Sequence, residues 1–171
     1  MKKIFFKFFK KKRNSNNERY KNYIIPKINE FSKSIDNKNT ISFLHYGHLG
    51  DIINSLPTIK LLSKTKNCHL YIQSNKKIPS HAISKDHPFG DVFLTKNSIM
   101  KLIPLLKQQR FLQKVEIFSN QKIDVDLNFF RELPINFNID SVRWYSHLTG
   151  TFPDLSESYL NVTSTEKYKN F

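Results

Sequence analysis

The chain holds 171 residues, 39% apolar and 13% aromatic, enough to bury one core without staples and too hydrophobic for wholesale disorder. A single cysteine, Cys68, excludes an intramolecular disulfide and any multi-cysteine zinc or iron–sulfur centre, and fits a reducing, cytoplasmic setting. The formal charge of +14 is uneven: residues 1–40 carry twelve Lys/Arg against three acids, residues 41–171 sixteen against eleven. The basicity thus belongs mainly to an N-terminal extension, while the remainder reads as an ordinary enzyme domain, and no nucleic-acid partner is expected for it.

In chain order, residues 1–13, MKKIFFKFFKKKR, join five large apolar residues to seven basic ones. On a helical wheel the apolar group fills one broad arc, and Lys3, Lys7, Lys10 and Lys11 lie opposite. Two readings stand: an interfacial anchor holding an anionic membrane surface through residues 2–13, or a plain basic tail. Lys7 interrupts the apolar stretch and no small-residue cleavage site follows, which argues against a secretory signal. No apolar run is long enough to span a bilayer. Residues 14–40 are polar and Asn/Lys-rich and read as linker or peripheral helix, with a short helix near Tyr20–Phe31 broken at Pro26. From Ile41 the pattern changes. Ile41–Tyr46 is β-prone and stops at Gly47; Ile52, Ile53, Leu56 and Ile59 then follow helical spacing, with Pro57 expected to kink that helix. His69–Gln73 is a second strand, Phe89–Leu94 a turn into a third, 98–112 a helix marred by Pro104, Val115–Phe118 and Ile123–Leu127 further strands, and Asp140–Leu148 a helix ending at Gly150. Strands alternating with helices predict an α/β fold with a Rossmann-like, mostly parallel sheet and flanking helices.

The strongest chemical feature is the strand–turn–helix join Leu44-His45-Tyr46-Gly47-His48-Leu49-Gly50-Asp51-Ile52-Ile53. In a parallel α/β sheet such a turn lies at the carboxyl end of the first strand, where ligands bind. Gly47 and Gly50 let a ligand approach the backbone. The spacing is neither the dinucleotide fingerprint nor a Walker loop. Asp51 is either a carboxylate presented to the crevice or a helix cap. His48 in the turn is a possible donor to a substrate oxygen or a solvated loop histidine.

Gly50-Asp51-Ile52-Ile53-Asn54-Ser55-Leu56-Pro57-Thr58-Ile59, placed directly after a first strand, resembles the opening of glycosyltransferase family 9, the heptosyltransferases of lipopolysaccharide synthesis and their relatives. Ile123–Leu127 and Arg143–Gly150 sit where such proteins have a strand and then a helix, and the likeness covers about residues 41–160. The resemblance implies the N-terminal half of a GT-B architecture, two Rossmann-like domains facing a cleft. Its activity would be inverting, metal-independent sugar transfer to a bacterial surface glycan or glycolipid acceptor. It implies Asp51 as general base, needing hydrogen-bond reach of the acceptor hydroxyl, with Gly47, His48, Gly50, Asn54 and Ser55 around the substrate. No cofactor is implied; the donor is a nucleotide-diphosphate sugar held mostly by a C-terminal domain. The expected organisation is a basic extension over 1–40, an acceptor-side domain over 41–160, and over 161–171 the start of a linker to a domain this chain lacks. The groups that stabilise a leaving diphosphate belong to that second domain, so this chain alone is expected to transfer no sugar. Its expected place is the cytoplasm, peripheral at the inner face of the membrane. A non-catalytic glycan- or partner-binding domain of the same fold, or a basic module for anionic lipid or nucleic acid, is the alternative.

Other candidates are thinner. Asp124-Val125-Asp126 has the D-x-D form that holds a metal–diphosphate, yet apolar alternation already explains a half-exposed strand. His45, His48 and Asp51 are spaced by three across a turn, and His81 and His87 share a loop; none supplies the converging ligands zinc demands. Cys68 reads as a small buried hydrophobe, and Trp144 and Tyr145 as core or as a sugar-stacking platform.

Overall fold

The computed structural model describes residues 17–80, 83 and 87–162; the leader 1–13, His81 and residues 163–171 lie outside the described residues. Tyr20–Ile24 forms one π-helical turn that runs straight into α1, Ile25–Asn37, with Pro26 in the first turn of that helix. Pro26 does not break the helix: helical backbone runs on from residues 17–24, and the π turn just before Pro26 shifts the pairing, with Ile25 N–H donating to the Tyr20 carbonyl. Ile24, Phe31 and Ile35 are buried in the same cluster as Ile41 and Phe43. The compact domain thus begins inside the stretch expected to be linker.

Strand β1 (Thr40–His45) buries Ile41, Phe43 and His45 on one face. It is followed by α2 (Leu49–Leu62), β2 (Asn67–Ile72), α3 (Lys96–Lys107), β3 (Lys114–Ile117), β4 (Val125–Asp126), a 3-10 helix over Leu127–Glu132, and α4 (Ser141–Thr149). The four strands form one all-parallel sheet in the order β3-β2-β1-β4. The chain is an α/β protein whose parallel sheet is flanked by helices, compatible with a Rossmann-like fold. Register places Ile41 opposite Cys68, Phe43 opposite Leu70 and Val125, and Leu70 opposite Val115. One face of the sheet is thereby a continuous apolar layer, and the period-2 alternation is what selects that register. Strands step outward from β1 to β3, and the chain then returns through residues 118–124 to the other side of β1. The order reverses between β1 and β4, which makes that gap the switch point of the sheet.

Pro57 sits inside α2 without ending it. Ile52, Leu56, Ile59 and Leu62 bury one face of the helix, and that packing outweighs the lost backbone bond, which costs ~3 kcal/mol in a helix interior. Three further elements differ from the sequence reading. Phe89–Leu94 joins no sheet; it makes a turn and a single antiparallel bridge between Lys77 and Val92. Helix α3 starts at Lys96, because Thr95 accepts from the Ser98 N–H at 3.2 Å, and ends at Lys107. Beyond that end the buried Gln109 side chain donates to the Leu105 and Asn161 carbonyls and accepts from the Asn161 N–H. The amide thus ties α3 to the C-terminal stretch. Strand β4 is cut to two residues because Asp126 accepts from the Asn128 N–H and caps the 3-10 helix. Helix α4 behaves as read: Asp140 caps its start, and Gly150, at φ 71°, supplies the left-handed residue that ends it. Among the described residues no helix is long and apolar enough to cross a membrane.

Candidate functional site

The β1–α2 join packs around a buried histidine. His45, the last residue of β1, is fully buried. Its Nδ1 accepts the Gly47 N–H at 3.0 Å, and its Nε2 lies 3.1 Å from the Tyr145 hydroxyl. That hydroxyl donates to the Asp51 carbonyl at 2.7 Å. With Nδ1 occupied as acceptor, the ring proton belongs on Nε2, which donates to Tyr145; the whole chain of bonds is satisfied by one neutral tautomer. Burial, reinforced by the Arg131 charge and opposed by the Asp51 carbonyl, lowers the His45 pKa to about 3. Burial likewise pushes the Tyr145 phenol well above its ordinary value, so this relay carries no charge.

Asp51 occupies the first turn of α2. Its Oδ2 accepts the His48 N–H at 3.1 Å, the bond of a helix cap, and also pairs with Arg131 Nη2 at 2.7 Å. The side chain is 17% exposed and Arg131 30%. The two readings of Asp51 are thus both visible: it caps α2, and it stands at the carboxyl edge of the sheet facing a guanidinium. Arg131 is held in plane by aromatic faces, its Cζ lying 4.3 Å from the Phe130 centroid and 5.2 Å from that of Phe93. Asn128, 2% exposed, fixes the floor. It accepts from the Tyr46 N–H, donates to Asp126 Oδ1, and reaches toward Arg131 Nη1 at 3.4 Å. Gly47 is demanded by space here, since a Cβ would stand 2.6 Å from Asp51 Oδ2, 2.8 Å from His45 Cε1 and 2.9 Å from Arg131 Nη2.

Above this floor, at the switch point, opens a cleft of about 510 Å³ lined by residues from the β1–α2 turn, β4, the 3-10 helix and the 76–93 segment, among them Tyr46, His48, Lys76, Phe93, Asn128 and Arg131. Lys76 Nζ sits 5.2 Å over the Tyr46 ring. Burial and the Asp126 charge raise the Tyr46 pKa to about 12, so it enters the cleft as a neutral hydroxyl. His48 lines the cleft with its Nδ1 3.3 Å from His87 Nε2 and its ring edge-on to Phe93. Partial burial lowers its pKa, with Asp51 opposing. Neutral polar edges, aromatic faces, three cations (Lys76, Lys77, Arg131) and two acids (Asp126, Glu132) make this a surface for a polar, hydroxyl-bearing ligand.

Of the six residues singled out in the sequence, His48 alone lines the cleft. Asp51 stands behind it, in contact with His48 and Arg131. Gly47 closes the turn. Gly50 is exposed with open space around it, so its role there is helix entry. Asn54 donates to Ser141 Oγ at 2.7 Å and pins α2 to α4, while the buried Ser55 donates back to the Ile52 carbonyl. Neither reaches the cleft. Asp124 of the D-x-D segment is spent internally, pairing with Lys38 and accepting the Ser42 N–H, while Asp126 caps the 3-10 helix through Oδ1 and also lines the cleft. Among the described residues no three His, Cys, Asp or Glu side chains converge on a metal position. Cys68 is buried, as read, with its thiol pKa pushed up to about 12. Tyr145 is core and relay, and Trp144 stacks on Phe130. Arg131, Asn128, Lys76 and Phe93 were not found from sequence; the D-x-D followed by an Asn and an Arg was the one local signal near them.

Compared with protein-family models, with curated proteins and with solved structures, the chain finds no match.

Proposed function

We propose that this chain supplies the acceptor side of an inverting, metal-independent glycosyltransferase that works on a bacterial surface glycan or glycolipid. The donor would be a nucleotide-diphosphate sugar, and the place of action the cytoplasmic face of a membrane, with residues 2–13 on anionic lipid. The observation that carries the reading is a partly exposed carboxylate, Asp51, at the switch point of a parallel sheet, directly behind a polar and aromatic cleft. Beside it stands the resemblance of residues 50–59 to the glycosyltransferase motif. In this reading the acceptor hydroxyl enters between His48 and Arg131. Asp51 Oδ1, which has no partner among the described residues, receives the hydroxyl proton as the oxygen bonds to the anomeric carbon, and the bond from that carbon to the nucleoside diphosphate breaks, the diphosphate leaving with the electron pair. Arg131 holds the other carboxylate oxygen and so orients the base.

A second reading is favoured by one specific observation: Asp51 Oδ2 already serves both a cap and an ion pair. That is what a glycan- or partner-binding domain without chemistry would also need. The deciding experiment is nucleoside-diphosphate release from a panel of sugar nucleotides, with surface-glycan acceptors, by the protein combined with a donor-binding half. Wild type is compared with Asp51→Asn. A loss of ~10²-fold or more in turnover, measured well below the melting temperature of a variant that circular dichroism shows to be folded, supports the base. Near-normal turnover removes it, and saturable glycan binding without any transfer establishes the second reading.

A further inference from the structure

Between Asp91 and Glu116 the sequence has no acid, while Lys96, Lys101, Lys107, Arg110 and Lys114 supply five cations. Residues 52–85 are also free of acids, but there Lys60 and Lys77 find partners in Glu157 and Asp91. Most of this stretch is α3. Its inner face buries Ile99, Leu102 and Leu106. The outer face, placed on a wheel at ~100° per residue, is a single arc with Met100, Pro104 and Asn97 along its middle, Lys96 and Lys107 on one flank and Lys101 on the other. All six are exposed, Met100 to 53%. Arg110 continues the row past the helix end. Beside it lies Val162, 71% exposed, with Leu160. Lys96, Lys101, Lys107 and Arg110 have no ionic partner among the described residues. Lys96 also stands at the helix start, where the macrodipole favours an acid, so helix stability does not account for it.

Cations flanking an apolar centre, with no acid in reach, fit the interface of an anionic bilayer. The ammonium groups meet the headgroups while Met100 and Pro104 enter the acyl boundary. A nucleic-acid surface would set stacking groups between its cations; on this arc no aromatic stands among them and Asn97 is the one uncharged polar side chain, whereas Met100 and Pro104 offer apolar surface. We infer that the outer face of α3 is a docking surface for anionic lipid, separate from the N-terminal leader. The inference goes beyond the proposed sugar transfer and does not depend on it.

The test is co-sedimentation of the full chain with phosphatidylcholine vesicles with and without phosphatidylglycerol. Wild type is compared with Lys96→Gln/Lys101→Gln/Lys107→Gln/Arg110→Gln and with a control of equal charge loss, Lys21→Gln/Lys33→Gln/Lys64→Gln/Lys122→Gln. Circular dichroism confirms that each is folded. A cation near an anionic surface contributes about fivefold in partitioning, so the α3 set should lose at least about tenfold more than the control on the charged vesicles. Met100→Ser should weaken binding further without altering its salt dependence. Equal losses in the two sets, or binding indifferent to phosphatidylglycerol, overturns the inference. A larger effect of the α3 set on binding to a DNA duplex than to vesicles would also overturn it, assigning the surface to nucleic acid.

Discussion

Acidification tests the histidine relay. His45 is fully buried, with its pKa lowered from 6.5 to about 3. As pH falls, the unfolded chain takes up this proton first, so the group's contribution to stability is complete above its unfolded value and is lost from there down to the folded one. Between about pH 7 and about pH 5 this single site should cost about 2 kcal/mol, a factor of roughly 30 in the folding equilibrium. Urea unfolding followed through Trp144 measures it. That residue is the one tryptophan of the chain, and it is packed against Phe130 and Phe137, so its emission reports the folded state. Other titrating groups act over the same range, so the comparison is with His45→Gln, which removes this proton and leaves the rest. Wild type should lose about 2 kcal/mol more than the variant over that interval. Parallel losses would show that the ring is protonated in the folded protein or reached by water, and the neutral relay would be wrong.

The two glycines of the turn should separate cleanly. Gly47→Ala puts a methyl against Asp51, His45 and Arg131 and should destabilise by about 1–3 kcal/mol. Gly50→Ala, in open space inside a helix, should be neutral or gain up to ~1 kcal/mol; thermal melts decide both. Arg131→Gln withdraws a charged partner from a largely covered carboxylate and should cost about 1–2 kcal/mol by the same urea assay. The native Cys68 thiol should resist an aromatic disulfide reagent at mildly alkaline pH and react at once in denaturant; rapid labelling of the folded chain would contradict its burial.

What the sequence makes legible is local. Alternation in residues 41–45 and helical spacing from 52 to 59 place β1 and α2 correctly, and the glycine at 150 marks the end of α4. Phe89–Leu94 reads as a strand because its composition is apolar, yet Phe93 and Leu94 are buried by the cleft and the core rather than by a sheet ladder. Asp51 was rightly placed at the head of a helix beside the sheet's carboxyl edge. Its partner Arg131 lies 80 positions away and the Tyr145 that touches its carbonyl 94 away, separations across which no periodicity carries information. The D-x-D segment misleads for a related reason: Asp124 is occupied by Lys38 and Ser42, which only the folded topology brings to it, while Asp126 is engaged by Asn128 two residues on.

His45, Gly47, Asp51, Arg131 and Tyr145 form a closed ring in which each side chain or missing side chain presupposes the others. Single replacements there should carry strong epistasis, with pairwise coupling of about 0.5–3 kcal/mol rather than additive costs. Any drift at one of these positions therefore has to be matched at a neighbour in the same ring, and a redesign of the cleft would do best to keep or exchange the five together.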